Sequence, residues 1–114
     1  VVVLIDRGCF SACESFAGGL QSIERALVIG SEPSGGGSGW VAGMRLPSKA
    51  MISFSWTVMW LPDGQQVEGN GVAPDITVGL RSRDLASGRD RVLDRAIEAL
   101  ENGEAKPLLI AGGE

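Results

Sequence analysis

Apolar positions along the chain fall into blocks with different periods. Val1-Val2-Val3-Leu4-Ile5 is continuously apolar and mostly β-branched, the pattern of a strand covered on both faces. Gly8 breaks the run, and helical spacing then begins, with Ala12, Phe16, Ala17, Leu20 and Ile23 on one side. Ala26-Leu27-Val28-Ile29-Gly30 is a second short apolar strand. Strand, helix and strand joined by short links predict a β-α-β unit with parallel pairing and a right-handed crossover. Residues 40–46 and 51–59 read as two further strands. In the second, Ile52, Phe54, Trp56 and Val58 alternate with Ser53, Ser55 and Thr57, so one face is expected to be buried and the other wetter. Pro47-Ser48-Lys49 supplies a turn, and the pair is expected to form a hairpin.

Leu61-Pro62-Asp63-Gly64 is a strong turn signal. Residues 65–78 are irregular and then extended, with Pro74 restricting Ala73 to an extended backbone. Residues 91–101 form an amphipathic helix: Val92, Leu93, Ala96, Ile97 and Leu100 on one side, Arg91, Asp94, Arg95, Glu98 and Glu101 toward water. Asp90 is placed to cap its start and Gly103 its end. A tail follows, with one apolar patch at Leu108-Leu109-Ile110-Ala111.

The 114 residues suffice for one domain with a single core. The net charge is −4 with no dense basic patch, so a nucleic-acid partner is not suggested. No apolar run reaches the length of a membrane span, and the first residues lack the features of a signal peptide. Val1 already lies inside a buried-type strand, without an initiator methionine. A fragment is therefore expected, with neighbouring strands, and residues needed for chemistry, supplied from upstream.

Ser11 stands at the strand-to-helix turn, a recurrent place to present a hydroxyl beside backbone N–H donors. Ser11-Ala12-Cys13-Glu14 also fits a capping box, and the two roles are compatible. Histidine is absent, which excludes a Ser–His or Cys–His pair and a histidine-bearing zinc site within these residues. Cys9 and Cys13 flank Ser11 and admit a disulfide, weak metal binding or reduced thiols; Cys13 reads first as a small buried hydrophobe. Two thiols without further ligands make a poor metal site, and no cofactor is expected. Residues 31–39, rich in Gly and Ser, admit a linker, a mobile loop or the wall of a cleft, with a mobile loop favoured by composition. No Lys-Ser or Lys-Thr follows the glycines, so a phosphate loop fails. Asp75 is expected to accept local backbone bonds, and Glu68 reads as a solvated loop carboxylate.

The order of these segments resembles the second half of the catalytic domain of the C-terminal processing (tail-specific) serine proteases. That family includes the tricorn core protease and the retinoid-binding repeats of the interphotoreceptor protein. Ser11-Ala12-Cys13-Glu14-Ser15-Phe16-Ala17 is similar to its nucleophile helix, and Arg25-Ala26-Leu27-Val28-Ile29-Gly30 to the strand after it. Leu61-Pro62-Asp63-Gly64, with Val67-Glu68-Gly69-Asn70-Gly71-Val72-Ala73-Pro74-Asp75-Ile76, is similar to its Pro-Asp-Gly and Gly-Val-x-Pro-Asp-Ile signature. Asp90-Arg91-Val92-Leu93-Asp94-Arg95-Ala96 is similar to its closing helix.

The resemblance implies an α/β fold of the crotonase and Clp-protease type, built from β-β-α units. Residues 1–102 would be the C-terminal half of the catalytic domain and 103–114 a tail. It implies peptide-bond hydrolysis through an acyl-enzyme, with Ser11 as nucleophile and the backbone N–H of Ala12 as one oxyanion donor. The family's lysine base, in a Gly-Lys-Gly turn, is replaced here by Gly36; Lys49 and Lys106 do not match it. A second branch uses an upstream histidine oriented by a carboxylate that Glu68 matches, so a Ser–His enzyme is expected, its histidine outside these residues and the chain alone inactive. Cys13 stands where a second serine is usual, which reads as packing.

The expected partners are a protein or peptide substrate and either the upstream half of the domain or a second copy. An extracytoplasmic location follows by family analogy. Two competing readings are a non-catalytic relative that binds apolar peptides or lipophilic ligands, and a generic α/β domain that leaves Glu68 far from Ser11.

Overall fold

The computed structural model describes residues 1–37 and 39–106. The apolar start of the chain forms β1 (Val2–Ile5), and Leu27–Gly30 forms β2 beside it. They pair in parallel, with Val2 opposite Leu27 and Ile5 opposite Gly30, as the β-α-β pattern requires. A short strand β3 (Ile76–Thr77) adds to the other side of β2, also in parallel. The sheet order is therefore β1-β2-β3, with β2 at its centre and all four of its residues buried.

Side chains alternate across β2 and divide the interior in two. Val28 points to one layer, packed with Ile5, Cys9, Ala17, Leu61, Val67 and Val72. Leu27 and Ile29 point to the other, packed on Ala96 and Ala99 with Val2, Ile76, Val78 and Val92. Helix α1 (Ala12–Ser22) thus covers one face of the sheet and α3 (Arg91–Glu101) the other. A five-residue helix, α2 (Ser82–Ala86), lies between β3 and α3 in a stretch the sequence marks only as charged and rich in turn formers.

The ends of α3 are built as its sequence predicts. The Asp90 side chain accepts from the Val92 and Leu93 amides, each at 3.0 Å. Gly103 takes a φ of 72°, Gly103 N–H bonds Leu100 O and Glu104 N–H bonds Ala99 O, a Schellman closure. The apolar stripe is only half used. Ala96 and Ala99 are buried, whereas Leu93, Ile97 and Leu100 are exposed, because the sheet reaches only one flank of the helix.

Helix α1 departs further from expectation. Its buried residues are Glu14, Ala17 and Gly18, while Phe16 and Ile23 are exposed. Of the expected stripe only Ala17 enters the core, Leu20 is half-buried and Ala12 is exposed, while the small Gly18 lies under Leu61 and Val72.

Residues 41–55 make the expected hairpin. Val41–Arg45 (β4) pairs antiparallel with Met51–Ser55 (β5), Val41 opposite Ser55 and Met44 opposite Ile52. The predicted buried face is absent: every residue of Met51–Ser55 is exposed, Ile52 and Phe54 included. The alternation is real, but among the described residues no layer packs on its apolar side. The patch at Leu108–Ala111 lies outside the described residues.

Two adjacent glycines in α1 give opposite expectations. A Cβ at Gly19 meets nothing within 4 Å, so Gly19→Ala is expected to stabilise the protein by about 0.5–1 kcal/mol through helix propensity. A Cβ at Gly18 would sit 2.7 Å from Leu61 Cδ1 and 2.9 Å from Val72 Cγ2. Overpacking of about 1–3 kcal/mol exceeds the propensity gain, so Gly18→Ala is expected to destabilise. Urea midpoints of the two variants, measured side by side, check the difference in sign.

Candidate active site at the Ser11 turn

Between β1 and α1 the chain folds back within a few residues. Asp6 Oδ1 accepts from the Gly8 amide at 2.8 Å, and Cys9 N–H bonds Asp6 O at 3.0 Å. The chain then enters the helix through Ser11, whose φ of 53° and ψ of −112° lie where residues with a side chain are rarely found. Such a conformation costs on the order of 1–3 kcal/mol and persists only where its surroundings over-determine it. A serine held on a strained strand-to-helix turn is the arrangement that exposes a nucleophilic hydroxyl, and Ser11 is exposed.

The restraint comes from hydrogen bonds on Ser11's own amide. It donates to Gly37 O at 3.2 Å and to Glu14 Oε2 at 3.0 Å. Glu14 is fully buried, and its Oε1 accepts from Ser34 Oγ at 2.6 Å and Gly36 N–H at 2.7 Å. Ser34 Oγ in turn accepts from the Val72 amide at 2.7 Å. One carboxyl group therefore joins the serine turn, the glycine-rich segment and the loop before β3. The predicted capping box is present, and its glutamate reaches well beyond a cap.

The glycine-rich segment is a packed wall rather than a mobile loop. Ser34 and Gly36 are buried, Gly35 N–H bonds Cys9 O at 3.0 Å, and Gly69 N–H bonds Gly36 O at 2.7 Å. Gly36, which stands where the resembled family carries a lysine, has a φ of 72°, and a Cβ there would lie 2.9 Å from Gly71 N and 3.1 Å from Asn70 N. The position has no room for a side chain. Lys49 sits in the turn between β4 and β5, and Lys106 follows α3.

Glu68 is half-buried, not a solvated loop residue, and its Oε2 accepts from the Gly39 amide at 3.0 Å. Ser11 holds Gly37 and Glu68 holds Gly39, so both candidate residues border one short stretch of the wall. Ala12 is the first residue of α1, where the amides have no partner within the helix and the dipole is positive. Asp75 also differs from expectation. Its bonds are long-range: Oδ2 accepts from Val28 N–H at 2.7 Å and Oδ1 from Gln21 Nε2 at 2.8 Å, pinning α1 and β2 to the loop before β3.

Cys9 and Cys13 are joined in a disulfide across Ser11, their Cα atoms 5.3 Å apart. Cys9 belongs to the core, whereas Cys13 is exposed, so Cys13 is not the buried reduced hydrophobe its composition class suggests. Residue 13 is the second residue of a helix whose buried side starts at Glu14, which turns the cysteine outward. The disulfide forms part of the wall of a 730 Å³ open cavity lined also by Ile5, Asp6, Arg7 and Glu32, at the C-terminal end of the parallel strands. Ligands of open α/β sheets occupy that end.

Glu14→Gln tests the hub. The amide would set an N–H group against one of three donors in a buried site, at a cost of about 1–3 kcal/mol. Chemical denaturation is expected to show this loss.

Comparison with known proteins bears on the same turn. Residues 1–78 match the model of peptidase family S41. A carboxy-terminal-processing protease of Bartonella bacilliformis is 35% identical over 78 residues, covering 68% of this chain and 18% of that protein. The solved structure of mature CPAF complexed with lactacystin superposes with a TM-score of 0.76 at 26% identity, covering 90% of this chain and 21% of that one. The tricorn protease gives 0.71 at 25% identity, over 87% of this chain and 10% of that one. This chain thus spans under a fifth of the Bartonella relative. With its family model covering the serine turn, the glycine-rich wall and the loop through β3, the chain belongs to peptidase family S41.

Proposed function

We propose that this chain is the second half of a serine peptidase domain that hydrolyses peptide bonds through an acyl-enzyme on Ser11. The observation that carries the reading is Ser11 itself: exposed, strained, and set at the open amino end of α1. The Ala12 amide is then one oxyanion donor. A preorganised donor of this kind is worth roughly 3–4 kcal/mol in the transition state.

A serine hydroxyl is a weak nucleophile at neutral pH and needs an adjacent base. The chain contains no histidine, and Gly36 leaves no room for a lysine. The base is assigned to a histidine of an upstream segment, oriented by Glu68 across the glycine-rich wall. In the acylation step that histidine takes the Ser11 proton as Oγ attacks the carbonyl carbon, and returns it to the leaving amine. Water then attacks the ester by the same route. The chain alone is accordingly inactive.

Residues 1–102 are read as the C-terminal half of a crotonase/Clp-type domain and 103–114 as a tail. The upstream half, or a second copy, would cover the apolar residues that α1, α3 and the β4–β5 hairpin leave exposed. A protein or peptide is the substrate. An extracytoplasmic setting is supported by the Cys9–Cys13 disulfide, since such bonds persist in oxidising compartments. Among the described residues no helix is long and apolar enough to cross a membrane. A second reading, a non-catalytic relative that binds apolar peptides, is favoured by one observation, the closed glycine at the lysine position.

A fluorophosphonate probe separates the two. The longest natural form of the protein is expected to label at Ser11 and to lose labelling in Ser11→Ala, while residues 1–114 alone do not label. No labelling of either form, in folded samples, would overturn the peptidase reading in favour of the binding one.

A further inference from the structure

We infer that the Cys9–Cys13 disulfide is a positioning element for Ser11, holding the serine turn in its reactive shape and releasing it on reduction; the inference rests on the peptidase reading above. The cross-link closes a ring from residue 9 to residue 13 with Ser11 at its middle, the one residue of the turn with a positive φ. One end is fixed. Cys9 is 5% exposed within the core, its amide bonds Asp6 O, and its carbonyl accepts from the Gly35 amide. The other end is the second residue of α1. The bond therefore ties a rigid point of the core to the first turn of the helix, directly across the strained backbone.

Its size sets what it can do. Stabilisation through the unfolded chain grows with the length of the closed loop, and a separation of 4 residues is near the minimum. By that measure the bond adds about 2 kcal/mol to global stability, less than a long loop would, and the rest of its effect falls on the torsions inside the ring. Without it, the turn would be held by hydrogen bonds alone: the Ser11 amide to Gly37 and Glu14, the Ser11 carbonyl accepting from Ser15, and Cys13 N–H to Phe10 O.

Cys13 is exposed, and both cysteines border the open cavity, so a soluble dithiol can reach the bond. One thiolate of the reductant attacks a sulfur of the pair, forming a mixed disulfide and expelling the other cysteine as a thiolate. The second thiol of the reductant then displaces the attached cysteine. Two electrons pass to the protein, Cys9 and Cys13 each end with one proton, and the dithiol leaves as its cyclic disulfide.

The test uses the longest natural form of the protein, oxidised, reduced with dithiothreitol, and reoxidised. Inactivation by a peptidyl phosphonate is resolved into binding and reaction, and amide hydrogen exchange is followed in parallel. Reduction is expected to lower the maximal inactivation rate by about tenfold or more while leaving probe affinity within about twofold, since only Oγ placement changes. Exchange is expected to speed up by a larger factor at the amides of Ala12, Cys13 and Glu14 than at those of Val28 and Ile29, and reoxidation to restore both properties.

An unchanged inactivation rate in the reduced protein overturns the inference and leaves the peptidase reading standing. Exchange that rises as much at Val28 and Ile29 as at Ala12–Glu14 also overturns it, because the bond would then be a general staple. If the oxidised, folded protein never reacts, the peptidase reading falls. The positioning claim falls with it, because there is then no reactive shape for the bond to hold.

Discussion

The Glu14 carboxyl group is the constraint on which the rest of this molecule depends. It is fully buried, its hydrogen bonds tie the serine turn to the glycine-rich wall, and through Ser34 they extend to Val72 in the loop before β3. Burial of a polar group without partners is costly, so the segments that satisfy it must all arrive. The serine turn, the glycine-rich wall and the residues before β3 are set relative to one another by that requirement. Backbone strain at Ser11 is tolerable because the same carboxyl group, and the wall it organises, hold the turn from within.

The glycines of the wall follow from this arrangement. Gly36 presents its amide to Glu14 while its carbonyl receives Gly69, and both faces of its backbone are occupied. Phe10 lies over Gly35 so closely that any Cβ there would overlap its ring. Composition suggests looseness, but these glycines are where three backbones come close together. The same closeness brings Glu68 to the wall two residues from the carbonyl that Ser11 holds.

Much of the scaffold is legible in the sequence. The β1-α1-β2 unit, the hairpin and α3 with both its caps follow from periodicity, turn chemistry and capping residues, all of which act over a few positions. Ser11 and Glu14 are legible for the same reason, as a local S-x-x-E pattern. What is not legible is long-range. Nothing near Ser34 or Asp75 in the chain says that one will bridge Glu14 to Val72 and the other will cap the start of β2. Amphipathic patterns likewise state which side of an element wants cover, not whether cover is present. Phe16, Ile52, Phe54 and Ile97 are all correctly marked as apolar-facing positions and all remain exposed.

The order in which these contacts close has a consequence during synthesis. Glu14 waits 20 residues for Ser34 and 22 for Gly36, Ser34 waits 38 for Val72, and Val28 waits 47 for Asp75. Loop closure over such separations comes late compared with the formation of α1, which needs only its own turns. On a ribosome, the serine emerges before these partners and stays without its frame until the chain through residue 75 has followed. A serine turn framed that way takes its strained shape only after the last of its distant partners has been made.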